Sequence, residues 1–178
     1  PGFKSGGDRR AAFNAGQLDA TRDTPQSSQK GYGDRYAAGE ARVWFAHGIV
    51  STNGGVTADP NAPEGTQSFP EVYEASWGVA PSGEVYDAYV AFQGYRDGFQ
   101  KTVWTAKNSP YIEDIQRALL DMANDPAAVE NLNKKLGKLP WLIGDNVEAH
   151  SDYLFSLLTQ KRLDTLVFLS KNVFNYKD

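Results

Sequence analysis

Apolar positions recur at helical spacing throughout the C-terminal part of the chain. Ile112, Ile115, Leu119 and Met122 fall on one helix face. Ser109-Pro110 ahead of them is a start signal, an N-cap followed by proline at the first helical position. Asp125-Pro126 repeats that signal, Val129, Leu132 and Leu136 form the next stripe, and Gly137 suits a C-terminal cap. Leu139-Pro140 opens a third segment, interrupted near Gly144, with Val147, His150, Leu154, Leu157 and Leu158 in register. After a hinge at Lys161-Arg162, the residues Leu163, Leu166, Val167, Ser170, Val173 and Phe174 make a fourth stripe. Short connections set consecutive helices antiparallel. The pattern therefore predicts a mainly α fold with an up-down bundle of about four helices at the C-terminus.

The pattern weakens towards the N-terminus. Between Phe69 and Thr105 two periods compete. Val85, Tyr89, Phe92, Phe99 and Val103 follow helical steps, with Ser82 and Glu84 where a helix would begin. Tyr86, Ala88, Val90 and Phe92 alternate as in a strand, and Gly94 and Gly98 each cost a helix about 1 kcal/mol against alanine. The longer run favours helix. Ser51–Phe69 reads as loop, with turn signals at Asn53-Gly54-Gly55, Asp59-Pro60, Ala62-Pro63 and Glu64-Gly65. A loop so long is uncommon inside a domain unless it is functional or disordered. Arg42–Val50 holds the first apolar cluster, a strand or an anchor into the core. Residues 1–40 are glycine-rich and aperiodic, which predicts an extended irregular arm with at most one short helix over Asp8–Leu18. The organisation expected is an arm and loops over residues 1–68 and a helical bundle over residues 69–178.

Charge divides the chain in the same way. Residues 1–50 carry a net +2, residues 51–98 a net −6, and residues 99–178 a net of zero. No dense basic face appears, so nucleic acid is not expected as a partner. There is no cysteine, which excludes disulfides, thiolate metal sites and cysteine nucleophiles. The longest apolar candidate, Tyr153–Leu158, is far short of the ~18 residues of a membrane span.

Candidate chemistry is sparse. His47 and His150 are the only histidines, and neither lies in a paired metal motif, so both are read as structural and no metal or cofactor is expected. No Gly-x-Ser-x-Gly and no phosphate loop occurs. Glu71 with Glu74, or Glu84 with Asp87, among tyrosines and tryptophans, would be the carboxylates of a hydrolase. The stretch from Tyr73 to Trp104, through Trp77, Tyr86 and Tyr89, would instead suit a sugar or pigment. A third reading explains the aromatic excess more simply. Nine of the 22 aromatic residues lie between Phe69 and Trp104, and tyrosine and tryptophan are enriched at interfaces. On that reading the chain is a non-catalytic accessory subunit of a larger protein complex. The residues expected to meet the partner are Arg9, Arg10, Arg22, Lys30 and Arg35 on the arm, with Trp44, Trp77, Tyr86 and Tyr89.

The helix ending near Trp104, the restart Ser109-Pro110-Tyr111-Ile112, the run Asn131–Leu142 and the close at Asn175-Tyr176 resemble the PsbQ-like lumenal extrinsic subunits of photosystem II. The resemblance covers roughly Val85 to Asp178, and Pro1–Lys30 takes the place of that family's flexible docking arm. It implies a protein of the thylakoid lumen, peripheral on the membrane and without chemistry of its own. The loop Ser51–Phe69 and the aromatic stretch after it are larger than the family pattern.

Overall fold

A helix that is to be packed from several sides needs small residues on its buried face, and the stretch 84–98 supplies them. A computed structural model describes residues 2–51, 55–99, 101–138 and 141–174. In it α1 (Gly6–Asn14) and α2 (Pro25–Ala37) precede a two-stranded antiparallel hairpin, β1 (Ile49–Val50) and β2 (Val56–Thr57). Six further helices follow: α3 (Phe69–Trp77), α4 (Glu84–Gly98), α5 (Ile112–Asn124), α6 (Pro126–Leu136), α7 (Asp145–Ser156) and α8 (Gln160–Asn172). The fold is mainly α, as the periodicity predicts. No helix among the described residues is long and apolar enough to cross a membrane.

The ambiguity between Phe69 and Thr105 resolves as helix over Glu84–Gly98, which stops short of Phe99, Val103 and the end expected near Trp104, and the inward face is not the large apolar one. Ala88, Val90, Ala91, Gln93 and Gly94 are buried, whereas Val85 and Phe92 are about half exposed. The small side chains bring β1, α7 and α8 onto α4, which makes this helix the hub of the fold. Leu154 of α7, 1% exposed, fills the groove over Gly94 and Gly98. A Cβ on Gly94 would stand 3.2 Å from Leu154 Cδ2 and 3.4 Å from Val50 Cβ. The glycines that weigh against helix by propensity are therefore what lets the helix be packed.

The C-terminal helices keep their start signals with small shifts. Asp125 caps α6 by accepting from Ala127 N and Ala128 N, and Gly137 follows its last residue. Ser109 Oγ accepts from Tyr111 N, but α5 begins at Ile112, two residues later than Ser109-Pro110 implies. Gly144 is the N-cap of α7. Lys161-Arg162 is not a hinge. Thr159 caps α8 through Arg162 N, so both basic residues lie inside the helix, and the chain turns at residues 157–159 instead. Among the described residues α5 and α6 are closely packed, whereas α7 and α8 each pack on α4. The Leu139-Pro140 opening, the Asn53-Gly54 turn and the Asn175-Tyr176 close lie outside the described residues.

The N-terminal residues are not an extended arm. Ser5 caps α1 through Asp8 N, and Thr24 caps α2 through Ser27 N with Pro25 in the first turn. The two helices meet through Phe13, whose ring stands edge-on to Tyr32 at 5.1 Å, and through Arg10 Nη1, 2.8 Å from Asp23 Oδ2. The long loop is tied at its base. Ala46 N donates to Gln67 O at 2.9 Å and Phe69 N to Ala46 O at 2.8 Å, while β1 and β2 zip its first part. Gly48 makes the entry possible: its φ is +83°, and a Cβ there would sit 2.5 Å from Thr57 O.

Candidate functional site

Three features could engage something outside the chain: the aromatic residues, the arm cations and a cleft. The aromatics fall into two chains of ring contact. The first runs from Trp44 through Phe45, Phe69 and Tyr73 to Trp77, with Tyr89 packed 4.9 Å from Phe69 and Tyr86 stacked on Tyr89. Its middle is tied down by polar bonds. Tyr89 Oη donates to His47 O at 3.2 Å and lies 3.1 Å from His47 Nδ1. A phenol has one proton, so with that proton on the carbonyl the second bond needs the hydrogen on Nδ1. Burial pushes the Tyr89 phenol well above its ordinary range, and Tyr86 is raised too, by burial and then by Asp87. Tyr86, Tyr89 and His47 are thus framework. The ends of the chain are open: Trp44 is 75% and Trp77 71% exposed.

The second chain joins Tyr95, Phe99, Phe155 and Trp104, the last 73% exposed and stacked on Phe99. Among the described residues Trp77 and Trp104 therefore belong to different groups of rings in contact. Three of the four candidate carboxylates are engaged as well, and Glu74 is exposed. Glu71 reaches back over the start of α3 and accepts from Ser68 N at 2.6 Å and Ser68 Oγ at 2.7 Å, which holds its carboxyl below the usual range. Glu84 pairs with Lys161, and Asp87 lies 4.0 Å from Arg162 Nη2, so this acidic pair ties α4 to α8.

Most arm cations named as partner contacts are used within the chain. Arg10 is bound by Asp23, which raises its guanidinium pKa further. Arg35 pairs with Glu40 at 3.4 Å, donates to Phe13 O and lies over the Phe13 ring. Arg9 is a looser neighbour, with Nη2 3.7 Å from Asp23 Oδ1. Arg22 and Lys30 are exposed.

The cleft has no counterpart in the sequence reading. Its volume is about 2020 Å³, and it runs between the N-terminal segments, the C-terminal end of α4, and α5 to α7. The stripe Ile112, Ile115, Leu119 and Met122 lines it, and α5 buries none of its residues fully. Periodicity identifies such a stripe but not whether another helix covers it. Asn61 holds the far corner, donating from Nδ2 to Lys138 O at 2.9 Å and accepting from Lys138 N. No family model, no curated protein and no solved structure matches this chain.

Proposed function

We propose that the chain is a non-catalytic accessory subunit that docks on a larger protein assembly and stabilises it. The observation that carries this reading is the exposure of Trp44, Trp77 and Trp104, each more than 70% accessible. Tryptophan is among the most effective anchors when buried at an interface. Each offers a large apolar face that a partner would cover. Each open ring is backed by a second aromatic ring, so it is presented on a fixed base and loses little freedom on docking.

In native extracts separated by size, the chain should migrate with a large assembly. The triple variant Trp44→Ala/Trp77→Ala/Trp104→Ala should migrate at its own 19.5 kDa. Wild-type protein running at 19.5 kDa would overturn the reading. The finer proposal, a place on the lumenal face of a photosynthetic membrane complex, rests on the resemblance over residues 85–178. The chain should then be recovered with thylakoid membranes and released from them more readily by urea, which weakens apolar contacts, than by salt, which weakens exposed charge pairs. Finding it in the soluble fraction at every salt concentration would remove that placement alone.

A further inference from the structure

The hairpin of α5 and α6 turns both of its apolar stripes towards the cleft. Ile112, Ile115, Leu119 and Met122 line it from α5, and Leu132 and Leu136 from α6. None of the six is fully buried. The α5 positions follow steps of three, four and three residues, the spacing of a seam that a second helix covers. The space has the size of a helix. Thirteen helical residues, the length of α5, are about 20 Å long and 10–12 Å across, or roughly 1,500–2,200 Å³, against about 2020 Å³ in the cleft. The chain also exposes 12756 Å², about 4,200 Å² more than a compact monomer of 19.5 kDa. Surface on that scale is covered by a protein partner and not by a small molecule.

Charge narrows the choice of helix. Residues 112–156, from α5 through α7, carry eight acids and four bases. Asp145 and Glu148 stand at the cleft in the first turn of α7, exposed and without an ion-pair partner among the described residues. Round the whole wall seven acids face five bases. The bases outside any ion pair among the described residues, Arg22, Arg42 and Lys101, come from outside α5 to α7. A second copy's α5 would bring Glu113, Asp114 and Asp121 towards these acids, and like charges oppose that pairing. We propose that the cleft receives one amphipathic helix of a partner protein, its apolar face on the α5 and α6 stripes and lysine or arginine along the edge that meets Asp145 and Glu148. The apolar face holds the helix, and the charge sets its orientation and rejects acidic helices. The inference rests on the docking role proposed above and gives the partner's chemistry at a contact apart from Trp77 and Trp104, neither of which lines the cleft.

The test uses the full chain and three fluorescein-labelled peptides of about 14 residues, the length that fills the cleft. The first has leucine at alternating steps of three and four residues, with lysine and alanine elsewhere. The second has glutamate in place of lysine. The third keeps the composition of the first with its leucines scattered. Anisotropy should show saturable one-to-one binding of the first, at least about tenfold tighter than of either other peptide. Leu119→Asn should weaken it at least about tenfold, with circular dichroism checking that the variant stays folded. Asp145→Asn/Glu148→Gln changes only exposed side chains, and should weaken the lysine peptide about three- to tenfold with Tm in place. Trp77→Ala/Trp104→Ala should bind it as wild type does. Failure of the peptide therefore counts against the cleft and not against tryptophan docking, which native extracts test separately. Absence of saturable binding, equal affinity for the lysine and glutamate peptides, or wild-type affinity in both the Leu119 and the acid variants would each overturn the proposal. So would a purified chain that sediments as a dimer and becomes monomeric with Leu119→Asn, which would give the cleft to a second copy.

Discussion

The packing of α7 on α4 can be tested as a coupled pair. Among the described residues Leu154 is the largest fully buried side chain, and it occupies the space that Gly94 and Gly98 leave open on α4. Truncating it to alanine should cost about 2–5 kcal/mol, the range for a buried leucine whose cavity relaxes only partly. Gly98→Ala is the reverse perturbation. Its new Cβ would overlap Leu154 Cδ1, while the other atoms it meets are at ordinary contact distance, His150 Nε2 at 3.7 Å among them. Overpacking of this kind costs about 1–3 kcal/mol, more than the gain of up to about 1 kcal/mol from replacing a helical glycine. The obstruction comes from Leu154 alone, so it vanishes once Leu154 is alanine.

In the Leu154→Ala background, Gly98→Ala should therefore be neutral or stabilising by up to about 1 kcal/mol. The sign of one substitution reverses with the identity of another residue on a different helix. Urea denaturation of the four proteins, monitored by far-ultraviolet circular dichroism, gives the cycle. A coupling of at least about 1.5 kcal/mol in the favourable direction is expected, well outside the 0.3–0.5 kcal/mol or so by which distant, independent sites depart from additivity. If the effects simply add, Leu154 does not sit over Gly98, and the account of why α4 carries glycine fails with it.

Three more predictions follow from the same contacts. Glu71 has a folded-state pKa below its unfolded value, so its contribution is present above the ordinary glutamate range and is lost as pH falls through the lower folded value; Glu71→Gln should flatten that acid limb in denaturation curves measured between pH 6 and 3. Burial raises Tyr32, Tyr86 and Tyr89, so the unfolded phenols release protons near pH 10 while the folded ones hold theirs; stability should fall as pH rises past about 10, and phenolate absorbance at 295 nm should lag in the folded protein. Asn61→Ala removes two bonds to the backbone of Lys138 at the end of α6, and should speed amide exchange in α5 and α6 while leaving α4 and α7 protected; equal acceleration everywhere would show that Asn61 does not anchor this hairpin locally.

The missed helix α2 shows where sequence patterning stops being informative. Its start signal, Thr24-Pro25, is of the same kind as Ser109-Pro110 and Asp125-Pro126. The stripe behind it is made of Ser28, Tyr32 and Tyr36, four residues apart, and Ser28 Oγ lies 2.6 Å from Tyr36 Oη. A serine followed by two tyrosines on one face reads as polar, and the glycines at 31 and 33 read as turn, so the cap stands without an apolar run to support it. Gly31 is there for contact: a Cβ would stand 2.5 Å from Arg10 Cδ. The error at α4 has the same origin. Periodicity weights large apolar side chains, and there the buried face is Ala88, Val90, Ala91, Gln93 and Gly94. Caps are local chemistry and survive without knowledge of the fold, as Asp125 shows. Which face turns inward, and whether a stripe is covered, depends on the partner element, and no local pattern carries that.

The same distinction bears on function. Arg9, Arg10 and Arg35 look available in a sequence because their partners, Asp23 and Glu40, lie five to fourteen residues away along a segment with no visible period. Once α1 and α2 form, Arg10 and Arg35 are consumed by the fold, and the charge that would steer docking falls mainly to Arg22 and Lys30. On the proposed docking role, the three open tryptophans should carry more of the binding than the arm. Ionic strength separates these contributions. Binding held mainly by the cations should weaken steeply as salt rises, whereas burial of aromatic surface is nearly indifferent to screening. A weak salt dependence combined with strong loss in the tryptophan variant would place the docking energy on Trp44, Trp77 and Trp104. A steep salt dependence with little loss in that variant would return it to the arm and refute the reading from exposed rings.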